Sequence, residues 1–157
     1  MINRKMGKTR KRKERFYIAY GSNLNLDQMA MRCPTAEIVG TTFLRGWRLM
    51  FRGVATIERC TEYTVPVLVW RLQPEDELAL DKYEGWPYLY RKETLRITVN
   101  GKRIYAMVYI MNETSHPYGS PSSSYLKTIN TGYISADFDI RILRQAVLNS
   151  TISRKEG

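Results

Sequence analysis

Apolar and polar positions along the chain fall into stretches of different period, and these predict the elements. Phe16-Tyr17-Ile18-Ala19-Tyr20 is apolar or aromatic throughout, the pattern of a buried strand of parallel-sheet type. It breaks into Gly21-Ser22-Asn23, residues that tolerate positive φ or bond nearby backbone and so supply a turn. Asn25 or Asp27 can cap a helix beginning near Leu26, running to Arg32 with Leu26, Met29 and Ala30 on one face, and ending at Cys33-Pro34. Ile38 to Val54 alternates, with Trp47, Leu49 and Phe51 set against Arg48, Met50 and Arg52, and Gly40 and Gly46 marking a bend or bulge. Ala55-Thr56-Ile57 extends the sheet toward a polar loop at Glu58 to Glu62. Tyr63 to Leu72, apolar on both faces, reads as a central strand with Pro66 near its entry.

The second half has the clearer punctuation. Pro74 opens a helix with Glu75, Asp76 and Glu77 in its first turn, where the dipole favours acids; it runs to about Tyr83, partly burying Leu78, Ala79 and Leu80, and stops at Gly85. Leu89 to Val99 and Arg103 to Met111 form a hairpin joined by Asn100-Gly101. A Ser-, Pro- and Gly-rich loop covers Thr114 to Ser124, and a weakly helical stretch covers Tyr125 to Ala136. Asp137 or Asp139 caps a last helix carrying Ile140, Leu143 and Val147 on one face. The order predicts a single α+β domain over 16–157, with a mixed sheet long enough to curl toward a small barrel.

The 157 residues are enough for one core without disulfides. Cys33 and Cys60 form no CxxC pair, which fits a reducing cytoplasm and argues against a zinc site. No apolar run approaches the roughly 18 residues of a membrane span, and the first residues are too polar for a secretory signal. The net charge of +10 is concentrated: residues 1–15 hold eight basic side chains against Glu14, leaving +3 for the rest. Such an arm is expected to be disordered and to touch nucleic acid or acidic surfaces non-specifically, or to serve as a solubilising extension.

Candidate chemistry narrows by elimination. The lone His116 has no ligand-spaced partner, so no metal motif is found. Serine and cysteine lack a nucleophile context, and no phosphate-binding glycine loop is present. If the chain is an enzyme, its acid–base work falls to a carboxylate. Glu84 stands at a helix end between Tyr83 and Trp86, with Gly85 allowing a sharp exit. Burial there would raise its pKa into a range suited to moving protons. On spacing alone it reads more simply as a surface residue, just as Gly21-Ser22-Asn23 reads more simply as a tight turn than as a nest of outward N–H groups for an oxyanion.

Three segments together resemble the γ-glutamylcyclotransferase-like (AIG2-like) family: Phe16-Tyr17-Ile18-Ala19-Tyr20-Gly21-Ser22-Asn23-Leu24, then Asp81-x-Tyr83-Glu84-Gly85, then Pro121-Ser122-x-x-Tyr125-x-x-x-Ile129 followed by Gly132. The likeness covers about residues 16–136; the first segment is specific, the others weak alone. The resemblance implies a curled mixed sheet with flanking helices around one cavity. It also implies a cofactor-independent cyclisation of a γ-glutamyl amine or peptide to 5-oxoproline with release of the amine. By the same resemblance Glu84 is the catalytic acid–base group, and Tyr20, Gly21, Ser22, Asn23, Leu24, Gly85, Tyr90 and Tyr125 bind substrate, the amides of Gly21 to Leu24 holding the glutamyl part and the oxyanion. A set of tyrosines (Tyr83, Tyr88, Tyr90, Tyr105, Tyr118, Tyr125) suggests a rim for a bulky or apolar leaving group, or simply strand residues of the wall. The alternative is a non-catalytic module that keeps the cavity for a small acidic ligand.

Overall fold

The computed structural model describes residues 14–113 and 115–156. Its elements are β1 (Arg15–Ala19), a 3-10 turn (Ser22–Leu24), α1 (Leu26–Arg32), β2 (Glu37–Arg52), β3 (Val54–Leu72), α2 (Pro74–Glu84), β4 (Tyr90–Val99), β5 (Lys102–Met111), α3 (Ser123–Ser135) and α4 (Ile140–Glu156). The basic arm expected at 1–15 lies outside the described residues up to 13. Its last member, Arg15, instead begins β1 and pairs with Glu77 at 2.9 Å.

One five-stranded sheet runs β2-β3-β1-β5-β4. The short β1 is central, antiparallel to β3 and parallel to β5, so its all-apolar pattern is explained by burial among neighbours on each side. Tyr17, Ile18 and Ala19 are all buried. The β4–β5 hairpin turns on Asn100 and Gly101, both at positive φ, and the β2–β3 hairpin turns on Gly53.

The sheet is curled but open. Its edges, β2 and β4, meet through side chains rather than a backbone ladder: Thr42 Oγ1 donates to the Thr98 carbonyl (2.6 Å) and Asn100 Nδ2 to the Val39 carbonyl (2.8 Å). The expected barrel is therefore latched at one seam and not closed by strand pairing.

Three local expectations change. Glu58 to Glu62 is continuous strand, because the long β2 extends far enough to pair with it (Arg48 opposite Glu58, Trp47 opposite Arg59) once a bulge between Arg45 and Trp47 resets the register. In α1 only Met29 is buried; Leu26 and Ala30 face solvent. In α2 Leu80 is buried but Leu78 is 63% exposed. That helix is held by a capping box in which Gln73 N–H donates to Asp76 Oδ2 (2.9 Å), while Thr35 Oγ1 donates to Asp76 Oδ1 (2.7 Å), so a buried acid serves the helix start. The Cys33 thiol lies against the same corner, pushed up to about 12 by burial and by the charge of Asp76.

Helix α4 covers β2, where Ser150 Oγ accepts from the Phe51 N–H at 2.8 Å. Helix α3 seats on the 3-10 turn. No helix among the described residues is long and apolar enough to cross a membrane.

Candidate active site

The site grows from the end of β1. Gly21 leaves the strand, and the chain turns through Ser22–Leu24 with Leu24 N–H donating to the Gly21 carbonyl and Asn25 N–H to the Ser22 carbonyl, each at 3.0 Å. Among the described residues no backbone carbonyl accepts from the N–H groups of Gly21, Ser22 or Asn23. Position 21 is close-packed: a Cβ there would stand 3.2 Å from Ala55 Cβ and 3.7 Å from the Tyr125 hydroxyl, so a larger residue would press Ala55 aside. The turn is fixed by its own side chains. Ser22 Oγ lies 3.0 Å from the Tyr83 hydroxyl; Asn23 Nδ2 donates to the Tyr17 hydroxyl at 2.9 Å, and its Oδ1 accepts from Arg32. Asn25, the helix cap, accepts from Gln28 N–H (3.0 Å) and donates to the Thr128 carbonyl (3.1 Å), tying α1 to α3.

Glu84 is the last residue of α2, and Gly85 ends the helix in the left-handed region (φ 66°). The carboxyl is largely withdrawn from solvent, and desolvation raises its pKa from 4.5 to about 7, opposed by the positive charge of Arg32. Its charge in turn acts on Tyr17, Tyr20, Tyr90 and Tyr125, whose own pKa values burial has already raised. Four phenols thus stay neutral around one carboxyl that titrates near neutrality.

Two of those phenols grip a single residue. Tyr90 donates its hydroxyl proton to the Ala55 carbonyl (2.6 Å), and the Ala55 N–H donates to the Tyr125 hydroxyl (3.1 Å). A second brace holds α2. Tyr20 donates to the Tyr109 carbonyl (2.6 Å), the Tyr109 hydroxyl donates to Asp81 Oδ1 (2.6 Å), and Lys92 Nζ bridges Asp81 (2.8 Å) and Glu77 (2.6 Å). Glu84 therefore projects from a helix end bonded to two strands.

The structure brings Tyr20, Gly21, Ser22, Asn23, Glu84, Tyr90 and Tyr125 into one neighbourhood. Gly85 serves as the helix stop. Leu24 departs from its expected part: its N–H is engaged within the turn, and its side chain is fully buried against α3. Of the six tyrosines expected at the rim, Tyr83, Tyr90 and Tyr125 stand at the site. Tyr105 faces outward beside Arg96, Tyr88 is 87% exposed, and Tyr118 bonds Glu58 beneath Arg52.

Tyr109 and Arg32 escape sequence reading, and Tyr17 and Asp81 stand in the motif segments without an expected part of their own. Arg32 lies over the Tyr83 ring, its guanidinium carbon 3.5 Å from the centroid. In sequence it looks like an ordinary cation at a helix C-terminus, and Tyr17 and Tyr109 look like strand fillers. Among the described residues no group of His, Cys, Asp and Glu is placed to hold a metal ion.

Comparison with known proteins places the chain in a family. The model of the family "Gamma-glutamyl cyclotransferase, AIG2-like" matches residues 17–127. Mouse γ-glutamylcyclotransferase is 30% identical over 130 residues, covering 74% of this chain and 68% of the mouse protein. The human protein of the same name is 29% identical over the same shares. Among solved structures, a γ-glutamyl cyclotransferase superposes with TM-score 0.75 at 23% identity, over 85% of this chain and 86% of that one. YkqA from Bacillus subtilis gives TM-score 0.69 at 18% identity, over 92% of this chain and 58% of that one. The two structural likenesses carry the fold. With a family model that takes in the turn, the Glu84 helix end and Tyr125 in one span, the chain belongs to the AIG2-like γ-glutamyl cyclotransferase family of enzymes.

Proposed function

We propose that this protein cyclises a small γ-glutamyl amine or peptide to 5-oxoproline and releases the amine, with Glu84 carrying the proton. The observation that supports this most directly is the Glu84 carboxyl itself. Desolvation brings it to about 7, it stands at a braced helix end, and neutral phenols surround it.

The reaction asks little else of a protein. The substrate's α-amine attacks its own γ-carbonyl, a ring C–N bond forms, and the bond to the leaving nitrogen breaks. No carbon changes oxidation state and no protein nucleophile is consumed. Holding the glutamyl chain folded makes the attack effectively unimolecular, a large advantage. Glu84 takes the proton that the attacking amine loses and returns it to the departing nitrogen. A group titrating near 7 serves both directions. Charge on the tetrahedral oxygen is met by N–H groups of Gly21, Ser22 and Asn23, donors that the turn leaves without a carbonyl partner and that need no reorganisation. Tyr90 and Tyr125, fixed on Ala55, stand beside the turn.

The test is release of 5-oxoproline from a panel of γ-glutamyl amines, amino acids and peptides, with Glu84→Gln as control. The wild type is expected to turn over at least one of them and Glu84→Gln none, with circular dichroism and melting showing an intact fold. Full activity in Glu84→Gln would overturn the assignment. A rise in melting temperature with 5-oxoproline but no turnover would instead mark a binding module.

A further inference from the structure

The arginines of the sheet divide into two groups. Arg15, Arg48, Arg52, Arg71 and Arg91 each pair with a glutamate. Arg45, Arg59, Arg96 and Arg103 take part in none of the ion pairs found among the described residues. The first three line one groove of about 550 Å³ along the seam between β2 and β4, with Phe43, Trp47 and Thr42 beside them and no acidic side chain in its lining. The site carrying Glu84 contributes no residue to it.

Cations pair with rings in the groove, where the Trp47 ring is buried, and beside it at Tyr105. Arg59 stands over the Trp47 ring, 4.3 Å from its centroid, and Arg96 stands 5.6 Å from the centroid of Tyr105, its partner in the β4–β5 register. Phe43 is 58% exposed and Tyr105 65%, although both sit on strands where an apolar ring is usually turned inward. Strand alternation sets Arg103, opposite Thr98, on the same outward face as Arg96 and Tyr105. Exposed rings flanked by unpaired guanidinium groups on a sheet face offer what a flexible polyanion with aromatic bases needs: stacking surfaces and charges along its backbone. A duplex, with its bases already stacked, cannot use the rings.

We infer that this seam is a binding site for single-stranded nucleic acid. The basic residues of segment 1–13, seven Lys and Arg with no acid, add sequence-independent attraction to the same ligand. The site is independent of the cyclotransferase reading and stands or falls without it.

The test uses the full chain and a fluorescein-labelled oligothymidylate of about 12 nucleotides, followed by fluorescence anisotropy. The wild type is expected to bind it, with affinity falling as salt rises from about 50 to about 200 mM. Arg45→Ala combined with Arg96→Ala is expected to weaken binding at least tenfold with segment 1–13 intact, while 5-oxoproline release is unchanged. Phe43→Ala is expected to weaken binding of the single strand but not of a duplex of equal length. Three results would each overturn the proposal: no binding by the wild type, equal affinity for duplex and single strand, or seam variants that bind as the wild type does. The last would assign all affinity to the basic segment.

Discussion

Gly132 of α3 is pressed directly onto Leu24: a Cβ at 132 would lie 2.6 Å from Leu24 Cβ and 2.7 Å from the Leu24 carbonyl carbon. The second contact is backbone, so rotating a side chain cannot relieve it. Gly132→Ala is expected to lift α3 off the turn and destabilise the fold by about 1–3 kcal/mol, the usual range for overpacking. Because the turn carries the Gly21 to Asn23 amides, 5-oxoproline release should fall as well. Urea melts together with turnover check both. An unchanged turnover would separate the turn from the chemistry.

Glu84 and Arg32 give a pH signature. With the carboxyl at about 7, kcat/KM is expected to rise with pH through that value as the base form appears. Arg32 favours the ionised carboxylate, so Arg32→Gln should move this limb to higher pH. A damaged fold lowers the amplitude and leaves the inflection in place. Profiles of the two proteins on one substrate distinguish these outcomes.

The same carboxyl predicts a stability cost. Its folded pKa lies above its ordinary 4.5, so the folded state binds the proton more tightly than the unfolded state does. Below about 4.5 the group is protonated in both states and costs nothing; above about 7 it is ionised in both and the full penalty applies. Glu84→Gln is therefore expected to be more stable than the wild type at pH 8, by up to about 3 kcal/mol, with the gain shrinking toward pH 5. Melting curves at the two pH values measure it.

Tyr90→Phe leaves the Ala55 carbonyl without its donor, and Tyr125→Phe leaves the Ala55 N–H without its acceptor. Each is expected to destabilise by about 1–3 kcal/mol, the range for an orphaned buried polar group. Since both hydroxyls hold one residue, the double variant should depart from additivity by about 0.5 kcal/mol or more. A denaturation cycle over the four proteins reads the coupling.

Much of this was legible in the residues. Asn100-Gly101 specified its hairpin, Pro74 and Gly85 bounded α2, and the apolar run at Phe16 to Tyr20 announced a strand buried on both faces. Those features rest on local chemistry that travels with the residue. What stayed hidden depends on partners distant in sequence. Glu58 to Glu62 is polar enough for a loop and becomes strand only because β2 is long enough to pair with it. At the site, turn and carboxylate could be named through their motifs. The contacts of Arg32 and of Asp81, the latter a motif residue, could not, since the ring of Tyr83 and the hydroxyl of Tyr109 come from other elements. Nor does the pattern reveal that Leu24 points its amide inward, a consequence of the tight geometry of a 3-10 turn.

The latch between β2 and β4 bears on how the chain behaves in a crowd. An open sheet presents two edges whose free carbonyl and N–H groups invite strands from other molecules. Here each edge blunts the other. Thr42 engages the Thr98 carbonyl, Asn100 engages the Val39 carbonyl, and bulges after Ile38 and Arg45 interrupt the row along β2. An intruding strand finds no continuous row to copy. Two uncharged side chains at the seam thus occupy edge carbonyls that a foreign strand would otherwise meet.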